Sequence, residues 1–100
     1  MIDFENELKI ALKTGKVELG TRSALRLAKT GKAKLIVIAK DAPENISKDL
    51  AYYTKLSGTA TYIYQGTGWN LAGACGKPHI VVTLSVLEPG DSEVLRITEA

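Results

Sequence analysis

The chain has 100 residues, of which 45% are hydrophobic and 24% charged, with a formal net charge of +2. This composition is typical of a globular domain, and the length suffices for one domain with a single modest core. Cys75 is the one cysteine, which excludes an internal disulfide. The apolar runs are far shorter than the ~20 residues that span a bilayer. Because the N-terminus also lacks the pattern of a secretory signal, we expect a cytoplasmic protein without a membrane partner.

Charge is distributed unevenly along the sequence. Residues 9–40 include nine lysines or arginines and one acid, Glu18. Residues 88–100 include four acids and one base, Arg96. Such a separation predicts a basic surface that attracts a polyanion, although solvated helix faces would explain the same charges.

Helical and strand patterns alternate along the chain. Apolar residues recur at helical spacing in some segments and form short continuous runs in others, with glycine or proline at many boundaries. The first predicted helix begins at Phe4, with Asp3 as its N-cap and Gly15 just past its end. A strand Lys16–Leu19, a helix Thr21–Thr30 that ends before Gly31, and a strand Leu35–Ala39 follow. The remaining predicted elements are a helix from Pro43 to Gly58, a strand Thr61–Tyr64, a short helix Thr67–Cys75 and a long strand Ile80–Leu87.

The burial expected of these elements indicates a fold class. The apolar run Leu35–Ala39 is typical of a central strand buried on both faces. The helical residues predicted to face the core are Leu25, Ala28, Leu50, Tyr53 and Leu56. Regular alternation of helix and strand predicts an α/β fold, a three-layer α/β/α sandwich around a four-stranded sheet, in one domain over residues 1–100.

The segment Gly20–Ser23 lies where a predicted strand gives way to a helix. The backbone N–H groups, the helix dipole and two hydroxyl groups at such a start favour an anion, and Arg22 and Arg26 add positive charge. The same residues also fit a structural role, in which Thr21 or Ser23 caps the helix and Gly20 eases the turn.

The loop Lys40-Asp41-Ala42-Pro43 directly follows the predicted central strand. Loops at the carboxyl ends of such strands commonly carry binding residues. A structural alternative is that Asp41 caps the third helix. The sequence of this loop does not distinguish the binding role from the capping role.

The segment from Gly68 to His79 has aromatic and basic side chains. Trp69 fits either a core position or an apolar surface offered to another molecule. A lone histidine such as His79 is most often a surface or structural residue. Gly76 and Pro78 break the helix that would bring Cys75 and His79 together, and no cluster has the spacing of metal ligands.

Two tracts, Asn70–Lys77 and Glu88–Ser92, are the most distinctive in the sequence. Gly73 and Gly76 allow close approach to the backbone of a short helix, and a Pro-Gly-Asp turn closes a long apolar run. Both tracts resemble the L-thirty-e family of eukaryotic and archaeal ribosomal proteins, which bind kink-turn RNA. The resemblance extends in order to Leu19-Gly20, Asp41-Ala42-Pro43, Tyr52-Tyr53, Leu56-Ser57-Gly58 and Gln65-Gly66-Thr67.

This resemblance implies a mixed sheet and a structural role in the large ribosomal subunit. The expected ligand is a kinked, purine-rich internal loop of ribosomal RNA, recognised by shape and stacking, with neighbouring ribosomal proteins as further partners. It implies no catalysis, metal or cofactor, and a monomer when free. The RNA-binding residues implied are Gly20, Thr21, Arg22, Ser23, Arg26, Lys40, Asp41, Ala42, Gly68, Trp69, Asn70, Lys77, Pro78 and His79.

The sequence departs from the family pattern at three places. Asp41 stands where the family usually has asparagine, and an ionised carboxylate only accepts hydrogen bonds. From Asn70 onward the order Asn-Leu-Ala-Gly-Ala replaces acidic-Leu-Gly-Thr-Ala. His79 stands where many members have an aromatic ring, and its imidazole can also stack on an unpaired base.

Other functions also fit parts of the sequence. A related kink-turn binder of another small ribonucleoprotein is the nearest alternative. A small acyl- or phosphate-handling enzyme would use Gly20-Thr21 and the segment Lys77–His79, and would need a perturbed histidine or cysteine in a pocket. A protein-interaction module would expose an apolar patch of Trp69 with Tyr62 or Tyr64.

Overall fold

The computed structural model describes residues 4–90, in which four helices alternate with four strands. Asp3, Asp91, Ser92 and Arg96 lie outside the described residues. In chain order the elements are α1 (Phe4–Thr14), β1 (Lys16–Leu19), α2 (Thr21–Thr30), β2 (Leu35–Ala39), α3 (Glu44–Ser57), β3 (Ala60–Tyr64), α4 (Gly68–Cys75) and β4 (Thr83–Glu88). Within this part of the chain, no helix is long and apolar enough to cross a membrane.

The four strands form one mixed sheet in the order β1-β4-β2-β3. β2 and β3 are parallel, with Ile38 opposite Ile63. β4 is antiparallel to both of its neighbours and places Leu84 opposite Val37 on one side and Leu19 on the other. The predicted α/β class and four-stranded mixed sheet are therefore confirmed.

Side chains of the central strand β2 alternate between two separate core clusters. Leu35, Val37 and Ala39 pack with α1 and α4 on one face of the sheet. Ile36 and Ile38 pack with α2 and α3 on the other face. All five residues are buried, as the continuous apolar run predicts. The result is the predicted three-layer sandwich, with its core divided in two by the sheet.

Two sequence predictions about local structure are wrong. Leu56 is 68% exposed, although it was expected to face the core with Leu50. The two leucines are six positions apart, which places their side chains about 120° apart around a helix with 3.6 residues per turn, so Leu56 lies off the buried face. The last strand begins at Thr83 rather than at Ile80, and the Val81 N–H donates to the carbonyl of Gly68, the first residue of α4, rather than to a neighbouring strand.

Replacement of Leu50 by alanine should destabilise the fold by ~2–5 kcal/mol, because its side chain is fully buried between α3 and the sheet. Leu56→Ala, on the exposed side of the same helix, should change stability by at most ~0.5 kcal/mol. Urea unfolding of both variants measures the difference. Equal losses would show that α3 does not pack through its Leu50 face.

Candidate nucleic-acid interface

Four loops meet at one edge of the sheet because of its strand directions. β1 and β2 are antiparallel to β4, and β3 is parallel to β2, so all three strands run in the direction opposite to β4. The carboxyl ends of β1, β2 and β3 therefore lie beside the amino end of β4, at what we call the C-terminal edge. The three predicted RNA-binding segments, around Gly20, Lys40 and Gly68–His79, all belong to these loops.

Backbone hydrogen bonds hold this edge together. The Gly20 N–H donates to the Thr83 carbonyl over 2.9 Å, and the Ala39 N–H donates to the Val82 carbonyl over 2.7 Å. The Lys40 N–H donates to the Tyr64 carbonyl over 3.0 Å. Each loop thus begins at a position fixed by a neighbouring strand rather than by its own sequence.

A side chain from the β2–α3 loop fixes the start of α4. The Gly68 N–H donates to Asp41 Oδ1 over 2.8 Å, and the Gly68 carbonyl accepts from the Val81 N–H over 3.1 Å. A Cβ at position 68 would lie 2.6 Å from Ile80 Cγ1, so a glycine is required for this close approach. We call the bonded pair the Asp41–Gly68 clamp. It ties three loops together through one buried glycine.

The clamp gives Asp41 a role that neither of the two alternatives predicted. The N-cap of α3 is Pro43, which makes no side-chain cap, so the expectation that Asp41 caps the third helix is wrong. Asp41 instead accepts at the first residue of α4, where a carboxylate also interacts favourably with the helix dipole. Its side chain remains exposed to solvent on the other side.

The N-terminus of α2 has no side-chain cap among the described residues. Gly20 occupies the N-cap position with φ 106°, which an L side chain rarely adopts, and neither Thr21 nor Ser23 closes the helix end. The proposed structural role of these two hydroxyls as caps is therefore wrong. Free N–H groups in the first turn of a helix constitute an anion-binding arrangement.

By contrast, the N-terminus of α4 is closed from within. Thr67 Oγ1 accepts from the Asn70 N–H over 3.2 Å, and Asn70 Oδ1 accepts from the Thr67 N–H over 3.0 Å. This is a reciprocal capping box. The side-chain oxygen of Asn70 is hydrogen-bonded within this capping box, and the Gly68 N–H is hydrogen-bonded within the clamp. Both residues therefore stabilise the local structure of the C-terminal edge.

The basic segment does not form a single surface. Arg26 pairs with Glu18 at 3.3 Å, and Lys34 pairs with Glu88 at 3.5 Å at the opposite edge of the sheet. Exposed cations that make no ion pair with a described acid remain at the C-terminal edge: Arg22, Lys40 and Lys77. Other exposed lysines, including Lys13, Lys32 and Lys55, also make no ion pair with a described acid, so the C-terminal edge has only part of this charge. Arg22 lies in the first turn of α2, beside its uncapped N-terminus.

Aromatic and apolar side chains are exposed at the same edge. Trp69 is 63% exposed and Ile80 47% exposed, so the core-filling role of Trp69 is wrong. His79, beside Ile80, is also exposed, and its Nδ1 lies 3.3 Å from the Ile80 carbonyl oxygen. Lys77 and Pro78 are exposed in the same segment. These side chains provide flat and apolar surface beside the cations.

Tyr62 and Tyr64 do not extend that surface. Their rings lie 4.8 and 5.5 Å from the ring of Phe4 on the α1 face. The Tyr64 hydroxyl donates to Glu5 Oε1 over 2.5 Å, and burial together with this bond raises the pKa of Tyr64 to about 12. The prediction that Tyr62 or Tyr64 forms an exposed apolar patch with Trp69 is therefore wrong for both tyrosines.

The thiol of Cys75, the one cysteine of the chain, is not an activated nucleophile. Burial raises the pKa of the Cys75 thiol, which keeps it in the unreactive protonated form. Within residues 4–90, no three His, Cys, Asp or Glu side chains are grouped so that they could hold a metal ion.

Sequence reasoning missed two features of this edge. Ile80 was assigned to a strand, although it is exposed next to His79 and packs on Gly68. The clamp was not foreseen, because its two residues are 27 positions apart. Ala42, a predicted contact, is half-buried against the α2 and α3 cluster and donates from its N–H to the Ala39 carbonyl over 3.1 Å.

Asp41→Ala should destabilise the protein by ~1–3 kcal/mol, because the buried Gly68 N–H loses its acceptor. Asp41→Asn keeps an oxygen at the same position and should cost less. Asp49→Ala, which removes an exposed carboxylate from α3, should change the free energy of unfolding by at most ~0.5 kcal/mol. Chemical denaturation of the three variants tests this order, and a loss from Asp49→Ala as large as that from Asp41→Ala would contradict the clamp.

Comparison with known proteins agrees with this architecture. Residues 3–96 match the model of the family described as "Ribosomal protein L7Ae/L30e/S12e/Gadd45 family". The chain is 41% identical to the large ribosomal subunit protein eL30 of Saccharolobus solfataricus over 96 residues, which is 96% of this chain and 89% of that protein.

Two further relatives have the same name. The eL30 protein of Methanococcus vannielii is 43% identical over 96% of this chain and 91% of its own length. The eL30 protein of Methanobrevibacter smithii is 40% identical over 95% of this chain and 96% of its own length. These matches cover nearly the whole of each protein. The chain therefore belongs to the L7Ae/L30e/S12e/Gadd45 family of ribosomal proteins.

Proposed function

We propose that this chain is a structural, non-enzymatic component of the large ribosomal subunit that binds a kinked, purine-rich internal loop of ribosomal RNA. The names of its relatives support the ribosomal role, which also places the protein in the cytoplasm. The observation that carries the RNA-binding part is the uncapped N-terminus of α2, flanked by unpaired cations and by exposed Trp69 and His79.

Phosphates of the RNA bind at the start of α2 in this proposal. The backbone N–H groups of Thr21, Arg22 and Ser23 point toward the anion, and the Arg22 guanidinium adds a charged donor. Lys40 and Lys77 extend the positive potential along the C-terminal edge. A kinked internal loop brings phosphates from two directions close together, which matches a short edge with several separate cations.

Bases of the RNA bind at the exposed rings. A base that the kink extrudes can stack on the imidazole of His79 or on Trp69, as unpaired RNA bases commonly stack on aromatic side chains. Asp41 uses Oδ1 in the clamp, and its Oδ2 can accept from a base amino or imino group. Stacking and hydrogen bonding of this kind require an unpaired base, which a regular duplex does not provide.

Other residues predicted for the interface act indirectly in this proposal. Gly20, Gly68, Asn70 and Ala42 set the backbone of the loops through the contacts described above. Arg26 is partly neutralised by Glu18, so its contribution to phosphate binding is smaller than that of Arg22. Pro78 holds the exposed segment that carries His79.

Binding to a kinked RNA, compared with a straight duplex of the same base pairs that lacks the internal loop, tests the proposed function. Recognition of shape and of an extruded base predicts a large preference for the kinked form at a fixed salt concentration. Equal affinity for the two RNAs would show that the edge binds by charge alone. A purine-rich loop from another small ribonucleoprotein, bound more tightly than the ribosomal one, would contradict the ribosomal assignment.

Arg22→Ala should weaken binding to a kinked RNA by ~1–3 kcal/mol and reduce the salt dependence by about one phosphate contact. The reason is that Arg22 is an exposed, unpaired cation in the first turn of α2. Lys55→Ala, in the last turn of α3 at the opposite end of the sheet, is the matched control and should have little effect. Titration at several salt concentrations measures both quantities, and similar losses from the two variants would indicate diffuse binding.

His79→Ala should cost ~1–3 kcal/mol of RNA-binding free energy if the exposed imidazole stacks on an unpaired base. His79→Phe should keep most of the affinity, because a phenyl ring also provides a stacking face. Equilibrium binding to the same kinked RNA distinguishes the variants. If phenylalanine proves as damaging as alanine, a hydrogen bond from the ring nitrogen explains the role of His79 better.

A further inference from the structure

The two outer strands of the sheet, β1 and β3, differ in how they are protected against pairing with a further strand. β1, at one edge, has four residues, includes the charged Lys16 and Glu18, and has an irregular register at Lys16/Val17. Short length, charge and bulges are the usual protection of an edge strand. β3, at the other edge, has the sequence Ala-Thr-Tyr-Ile-Tyr, with no charge, no proline and a regular register.

Alternate residues of β3 direct their backbone groups away from the sheet. Because the Lys40 N–H donates to the Tyr64 carbonyl, Tyr64 and Tyr62 face β2, and Thr61 and Ile63 face outward. The Ile63 carbonyl accepts from the Gln65 side chain over 3.2 Å. The Ile63 N–H and both backbone groups of Thr61 make no hydrogen bond to any other residue between 4 and 90.

Charge is absent from a long segment that includes this edge. No Lys, Arg, Asp or Glu occurs among the 21 residues from Leu56 to Gly76, in a chain that is 24% charged. Ile63, in the middle of β3, is 49% exposed. Nucleic acid binds through cations that neutralise phosphates. A sheet edge without cations but with open N–H and C=O groups suits a polypeptide strand instead.

We propose that the β3 edge is a docking site for an extended, uncharged strand of another large-subunit protein, which adds a fifth strand to the sheet. Backbone bonds to Thr61 and Ile63 give the pairing, and the exposed Ile63 side chain favours a β-branched or other apolar neighbour. That the partner is ribosomal rests on the proposed function, whereas the docking edge rests on the backbone geometry alone. RNA at the C-terminal edge leaves the length of β3 free.

A second copy of the chain is a weaker candidate for the occupant. Pairing of two five-residue strands buries far less than the ~1,200 Å² that a stable protein interface needs. A ribosomal neighbour is held nearby by its own RNA contacts, so a small strand-to-strand contact suffices at a high effective concentration. The edge therefore fits a partner that is already tethered beside it.

Amide hydrogen exchange tests the docking site without any substitution. The isolated chain is compared with the same chain in large ribosomal subunits purified from the organism that encodes it. We expect the amides of Thr61 and Ile63 to exchange at least about tenfold more slowly in the subunit. The outward amides of β1, Val17 and Leu19, are the internal control and should change less. Unchanged exchange at β3, or equal protection at both edges, would overturn the proposal.

Crosslinking from position 63 identifies the occupant. A photoreactive benzoylphenylalanine replaces Ile63 in one variant and Tyr52, which is 61% exposed on α3, in the control. The expected product in assembled subunits joins position 63, and not position 52, to an uncharged segment of another ribosomal protein. A product with RNA or with a second copy of the chain, or no product from position 63, would overturn the proposal.

Ile63→Lys separates the docking site from RNA binding. A lysine on this edge should reduce the protection of the Thr61 amide in subunits by about tenfold, because charge disfavours strand addition. The isolated variant should keep its affinity for a kinked RNA within about twofold, since β3 is not part of the RNA edge. Loss of RNA binding by this variant would contradict the separation of the two surfaces. If instead the wild-type chain fails to prefer kinked RNA, that result contradicts the proposed function and leaves the docking site untouched.

Discussion

The hydrogen bond between the Gly68 N–H and Asp41 is the contact on which the candidate site depends. It links the loop after β2 to the first turn of α4, and the Gly68 carbonyl carries the link on to Val81. A Cβ at position 68 would clash with the side chains of Ile80 and Val82 as they lie in this structure. One bond of 2.8 Å therefore aligns loops that are far apart in the sequence but are neighbours at the C-terminal edge.

The two-sided core fixes the position of this edge. β2 is buried on both faces, and its register with β3 and β4 fixes where each loop leaves the sheet. Helices pack on both faces of the sheet. A pre-formed edge loses little conformational entropy when it binds a ligand.

The two helices that begin at this edge, α2 and α4, differ in how their N-termini are capped. The start of α4 is closed by Thr67, Asn70 and Asp41, so its N–H groups hold the protein together. The start of α2 is left without a side-chain cap behind Gly20, so its N–H groups remain available to an anion. Asp41 and Asn70, two of the positions where the resemblance implies other residues, thus make internal contacts.

The sequence by itself determined the elements, the fold class and the family, because apolar spacing, glycine stops and short distinctive tracts are local properties. It predicted the buried β2 run and the stops at Gly31 and Gly58. Only the tertiary structure decided that Trp69 is exposed and that Asp41 serves α4. It also divided the basic segment between two edges. Those outcomes depend on which strands become neighbours, and strand order is set by packing across the whole chain rather than by any segment of it.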